Sequence, residues 1–303
     1  MRRNRKVHVE FFLNLIPPML WAAAILTDKI LVKGEGEDSK PAALMAISGF
    51  FNLVFGIVVL GPMMLWNSQS VGMSVMLPLM ANGITYITAM ILFLKALSVD
   101  EASRVDPWFQ TIPAFGIILA FSFIGESLEW YHVTAIAVLV AGGWVLKSSG
   151  KAKGQATVLM LIASLLLAVN DVVFAKFGRE LDTVPAIASD VAGKAFWGLV
   201  LLVGPKTRQG FVIGLRTKLG LQSLSEILAI VADFLFDRAK LFAPVAIVQG
   251  IACSQPLFVL VGAALLTKFL PHLVSEEQGS AFWKKLVGIA LVIVGGAVLG
   301  ITT

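Results

Sequence analysis

The chain has 303 residues, of which 57% are hydrophobic and only 14% charged, with a formal net charge of +5 and a mean hydropathy of +0.86. Soluble domains carry roughly 25% charged residues, so this sequence lacks the polar residues to cover a water-facing exterior. These values exclude an ordinary soluble globule and point to an all-α integral membrane protein; its basic residues cluster in tails and loops, as membrane flanks do, and no nucleic acid is expected as a partner.

A spanning helix takes about 20 mostly apolar residues. In chain order such stretches run over 10–32, 42–65, 75–97, 102–124, 131–148, 155–177, 185–204, 219–240, 243–266 and 281–300, which predicts ten transmembrane helices joined by short connections. The apolar runs are continuous rather than alternating, which excludes a membrane β-barrel. The first stretch continues past Pro17 and Pro18 to Val32 without a small-residue cleavage site, so it is expected to remain as a helix. A single cysteine, Cys253, and three histidines without ligand spacing, His8, His132 and His272, give no basis for a disulfide, a metal site or a cofactor. Neither HExxH nor GxSxG occurs, so no enzyme is expected.

The chain repeats itself. At a shift of 143, LKALSVDEASRVDPWFQTIPAF (94–115) lies over DRAKLFAPVAIVQGIACSQPLF (237–258), setting Lys95 on Arg238, Asp106 on Gln249 and Pro113 on Pro256. Gly142 and Gly143 meet Gly295 and Gly296 at a shift of 153, and near the start of each half Lys29 lies over Lys176 and Gly49 over Gly193 within one residue. Two units of five spans follow, 1–150 and 151–303. An odd number of crossings makes the second copy enter from the opposite face, the inverted-repeat arrangement of many secondary transporters.

The stretch KALSVDEASRVDPWFQTIPAF, the FIGES at the end of the fourth span, the glycine-rich AGGWVLK of the fifth and the five-plus-five layout resemble the drug/metabolite transporter superfamily, specifically its EamA branch. That resemblance covers essentially the whole chain. It implies a ten-helix basket whose central cavity opens alternately to either side. The implied activity is export of amino acids or other small amphipathic metabolites across the cell (inner) membrane. It further implies cytoplasmic termini, in agreement with Arg2, Arg3, Arg5 and Lys6, although most loop lysines and arginines fall on the opposite face. The fifth and tenth spans would form the seam between halves or between the subunits of a homodimer. The second half departs from the pattern, since it has no acid matching Glu126.

Ionisable groups at mid-bilayer usually face a cavity or a partner. Gln222, Glu226, Asp233 and Asp237 fall at i, i+4, i+11 and i+15 and form one stripe on the eighth span. Their counterparts in the third span, Leu79, Gly83, Met90 and Leu94, are uncharged, so the fold itself does not require the stripe. Glu226 and Asp233, with Lys194 and Asp190 of the seventh span and Asn170 and Asp171 of the sixth, are candidates for substrate or proton handling. Arg104, Asp106, Gln249, Lys95 and Arg238 are read as gate or helix-end pairs, and Pro113 and Pro256 as kinks well inside their spans. Trp21, Tyr86 and Trp108 are candidate stacking or packing residues. Beside an exporter stand two other readings: an anion exchanger of the nucleotide-sugar or sugar-phosphate kind, motivated by Lys95, Lys194 and Arg238, and a membrane scaffold that transports nothing.

Overall fold

The computed structural model describes residues 15–33, 36–66, 72–125, 154–243 and 245–269, with 130–131, 134, 137–138, 141–142, 283, 286–291 and 294. The expectations placed on Glu126, Gly143, Gly295, Gly296 and the amino-terminal basic residues lie outside these. The described residues are helical throughout, with no strand among them.

Five helices are long and apolar enough to cross a membrane. They are α2 (Pro41–Trp66), α3 (Met73–Val99), α5 (Gly154–Gly178), α6 (Thr183–Val203) and α8 (Leu219–Phe242). Ahead of α2 lies α1 (Ile16–Val32), whose first turn holds Pro17 and Pro18, where no backbone hydrogen bond is lost. The predicted fourth and ninth spans are each broken. A turn at Ala102–Val105 and a tight 3-10 stretch at Asp106–Thr111 precede α4 (Ile112–Phe123), and α9 (Val245–Ala252) is separated from α10 (Gln255–Phe269) by Cys253 and Ser254. Pro113 and Pro256 occupy the first turns of α4 and α10, Pro113 in a run whose backbone stays helical from the 3-10 stretch into α4 and Pro256 after the two-residue interruption. Proline lacks a donor for an interior turn and has the backbone angle for a first one, so an α-helix starts at each.

One further helix escaped the hydropathy reading. α7 (Pro205–Thr217) carries exposed Lys206, Arg208 and Arg216 and is too polar to span. It lies on α2 and on the short turn Glu37–Ser39, and Lys218 just beyond it reaches Asp38 Oδ2 at 2.7 Å.

The packing interleaves the two halves of the sequence. α3 and α4 lie along α5, α8 and α10 lie along α1, and α6 runs between α2 and α3. Within each half a cation closes a helix end: Lys29 Nζ donates to Leu97 O at 2.6 Å and to Asp100 O beyond α3, while Arg179 donates to Lys240 O at 3.3 Å and Ala243 O at 3.1 Å at the end of α8. The residue that serves α8 as Lys29 serves α3 is thus Arg179. Lys176, its counterpart by sequence alignment, instead donates to Phe123 O at 3.2 Å.

Glycine lets α6 approach its neighbours at backbone contact. A Cβ on Gly83 would stand 2.3 Å from the carbonyl carbon of Gly193, and one on Gly198 would stand 2.6 Å from the Cα of Gly49. Trp197 Nε1 adds a bond to Met80 O at 3.1 Å along the same seam. Overpacking of this kind costs about 1–3 kcal/mol. Gly193→Val is therefore expected to lower the thermal midpoint of the purified protein clearly, whereas Gly220→Ala, where a Cβ meets nothing within 4 Å, should leave it unchanged; a fluorescence melt in detergent measures both.

Candidate functional site

α8 carries its polar stripe inward. Gln222 and Asp237 are buried, and Asp233 and Glu226 face two hollows that α8 forms with its neighbours. The larger hollow encloses about 930 Å³, mouth included, between α1, α3, α5, α6, α8 and the breaks before α4 and α10. One wall is aromatic and apolar: Trp21, Tyr86, Phe93, Phe109 and Phe236, with Trp21 and Phe236 packed edge to face at 4.8 Å.

A charge network lies directly against these rings. Lys194 Nζ lies 2.9 Å from Asp190 Oδ2, 3.1 Å from Asp233 Oδ2 and 3.7 Å from Asp237 Oδ2, and 4.3 Å above the Tyr86 ring. Lys240 Nζ lies 2.6 Å from Asp237 Oδ1 and 2.7 Å from Asp171 Oδ1, between the rings of Phe174 and Phe236. Asp237 therefore bridges the two ammonium groups. Neutral donors complete the set: Trp21 Nε1 to Asp233 Oδ1 at 2.9 Å and Gln249 Nε2 to Asp171 Oδ2 at 2.8 Å. Buried ions persist only when paired and hydrogen-bonded, and this network supplies both requirements.

Acids outnumber cations here. Asp171, Asp190, Asp233 and Asp237 surround Lys194 and Lys240, and Asp28 lines the same hollow with Ser225 Oγ donating to it at 2.5 Å. Glu226 belongs to the smaller hollow, of about 460 Å³, between α1, α2, α3 and α8, which shares Asp28, Tyr86, Met90 and Ala229 with the larger one.

Asn170 does not touch the ions. Its side chain donates to Asn82 O at 3.2 Å while Asn82 donates back to Asn170 O at 2.9 Å, a reciprocal clasp between α3 and α5. Arg104 does not pair with Asp106; it binds Asp100 at 3.0 Å and Glu101 at 2.8 Å. Asp106 is fully buried and accepts from Gln255 Nε2 at 2.6 Å, and Gln249 is equally deep, so neither has the shallow position that its sequence place at a helix start suggested. Lys95 and Arg238 are exposed. Trp108 packs against the core formed by α1, α3 and α5, outside the hollow. Asp28, Lys240 and Gln255 were not singled out from the sequence. The readable signals were an acid within the first apolar stretch and the i, i+3 spacing of Asp237 and Lys240.

Residues 10–147 match the model of the EamA-like transporter family, part of the drug/metabolite transporter superfamily. This part of the chain is EamA-like. The match covers less than half of the chain and points to a multi-pass membrane protein of the drug/metabolite transporter type. No curated protein matches the chain. Among solved structures, 22 chains match; one crystal structure aligns with a TM-score of 0.56 at 15% identity, covering 95% of this chain and 94% of that one. At that identity the likeness shows the fold alone, and it extends beyond the EamA-like stretch into the second half.

Removing one member of a buried ion network strands the others, at about 3–5 kcal/mol. Lys194→Met, which leaves three carboxylates without their shared cation, should lower the thermal midpoint strongly. Lys95→Gln, at an exposed position, should leave it unchanged in the same melt.

Proposed function

We propose that the protein is a secondary carrier that exports small amphipathic metabolites by alternating access, and that the substrate sits in the larger hollow with its apolar part on the aromatic wall. The observation that carries this reading is the composition of the charge network: four carboxylates around two lysines, each lysine already held by at least two acids. Such a network favours a substrate with a positive centre, an amine or an amino acid. An anion would have to displace a carboxylate from Lys194 or Lys240, which weighs against the anion-exchanger reading.

Two features support alternating access between inverted halves. The clasping of α5 by α3 and α4 is matched by that of α1 by α8 and α10, as a twofold exchange of the halves would require. The exchange is broken at one place. α3 and α6 meet glycine on glycine at Gly83 and Gly193, whereas α2 and α8, their counterparts, stand apart around the smaller hollow. One side of the bundle is thus zipped and the other is not, the asymmetry of a carrier in one of its two states. The export direction and the cell (inner) membrane rest on the resemblance to EamA transporters.

Proteoliposomes loaded with an unlabelled aromatic amine or amino acid should take up the labelled compound in a saturable, counterflow-stimulated manner. Trp21→Ala and Asp233→Asn should each reduce that uptake at least about tenfold, the equivalent of losing one good contact of ~1.4 kcal/mol. Unsaturable flow would overturn the carrier reading, and selective uptake of a sugar phosphate would reinstate the anion exchanger.

A further inference from the structure

The smaller hollow differs in kind from the larger one. Its acids, Asp28 and Glu226, have no lysine, arginine or histidine nitrogen within 4.0 Å among the described residues, whereas Asp171, Asp190, Asp233 and Asp237 all do. The two carboxylates line the same hollow, where Ser225 Oγ donates to Asp28 at 2.5 Å and Ser48 shares the lining with Glu226. Gln222 lines the same hollow at 2% exposure, and neither its amide oxygen nor its amide nitrogen has a hydrogen-bond partner. A buried amide with both atoms unpaired, beside two carboxylates without a counter-ion, is costly unless something occupies the space between them.

We propose that Asp28, Glu226, Gln222 and Ser48 form a binding site for one monovalent cation, either an alkali-metal ion or the ammonium group of a transported molecule. The donor set is all oxygen: two carboxylates, the Gln222 carbonyl and the serine hydroxyl. Oxygen donors of this kind suit hard cations and protonated amines. One positive charge between the carboxylates removes their repulsion and gives the Gln222 oxygen a partner, while the Gln222 nitrogen is free to donate to Glu226 one turn along α8. The site opens on the larger hollow through Asp28 and Tyr86, so its occupant and a substrate there would share a wall. Its placement follows from the repeat. At the shift of 143, Glu226 stands where the first half has Gly83, so an acid occupies the gap on the side of the bundle where no glycine seam closes. The site itself does not depend on the carrier reading.

The test is a thermal melt of the purified full-length protein at constant ionic strength, exchanging tetraethylammonium, too bulky for the site, for sodium or for ethylammonium. A saturable rise of roughly 2–4 °C is expected with at least one of the two small cations. The rise should vanish in Glu226→Gln and Asp28→Asn and need about tenfold more cation in Gln222→Met. Without added cation, Glu226→Gln should melt at or above the parent protein, because it removes a like charge. A response to sodium assigns the site to an inorganic ion, and a response to ethylammonium alone assigns it to a substrate amine. No rise with either cation, or an equal rise in parent and Glu226→Gln, overturns the proposal. Counterflow measured on the same preparations separates this result from the carrier reading, which stands if flux persists without a cation response.

Discussion

The ammonium of Lys194, placed among Asp190, Asp233 and Asp237 inside an apolar bundle, is the interaction on which the rest of the structure depends. A charged group at mid-bilayer costs roughly 2.5–3.5 kcal/mol on insertion scales, so neither the lysine nor the acids are tolerated singly. Together they are, and their pairing fixes geometry. Asp190 and Lys194 hold one face of α6, Asp233 and Asp237 one face of α8, and Asp237 passes the linkage to Lys240 and from there to Asp171 on α5. Gln249 extends it to α9. Four helices are thereby tied together, and Trp21, Tyr86 and Phe236 pack directly on that knot beside the larger hollow.

The excess of carboxylate sets the electrostatic character of the interior. A bundle that needed charge only for architecture could balance each acid with a cation, as Lys240 nearly does for Asp171 and Asp237. Among the described residues Asp28 and Glu226 instead have no ion-pair partner, and Asp28 accepts from the Ser225 hydroxyl. Their position is consistent with the packing. α6 reaches α3 at backbone contact because both present glycine there, whereas α8 presents Glu226 toward α2, and a carboxylate cannot be buried against backbone without a partner. The gap between α2 and α8 is therefore maintained by chemistry as well as by shape.

Much of this was legible in the sequence because membrane insertion makes polarity expensive. The stripe from Gln222 to Asp237 could be read from helical spacing, and the inward placement of those residues follows from having nowhere else to go. Lys194 stood out for the same reason. Partners were not legible. Spacing on one helix identifies Asp190 for Lys194, but that Asp233 and Asp237 complete its shell depends on how α6 crosses α8, and that Glu226 lies apart depends on α2. The interruption before Pro256 was not legible because hydropathy does not distinguish a bent helix from two helices end to end. α7 was missed because a scan for apolar runs passes over a helix that is half basic. The role of Lys29 at the end of α3 is taken at the end of α8 by Arg179, one turn beyond the aligned Lys176, because capping a helix end needs only a cation within reach of the carbonyls.

The two broken spans connect the charge knot to the fold. A continuous helix satisfies its own backbone, whereas a break frees carbonyls and donors that must find partners. Both breaks lie against the larger hollow, and a glutamine near each contacts an acid on another element: Gln249 at the end of α9 binds Asp171 of α5, and Gln255 at the start of α10 binds Asp106 in the 3-10 stretch before α4. Gln249 also fills the space over Gly116 of α4, where a Cβ would come within 2.7 Å of its amide oxygen. The weakest backbone in the bundle is thus held by neutral side chains rather than by ion pairs. Hydrogen bonds of this kind, to a carboxylate, net about 1.5–3 kcal/mol each. Opening the bundle at the second break would take Gln249 from Asp171, the carboxylate that also holds Lys240, so the break is coupled to the lysine network.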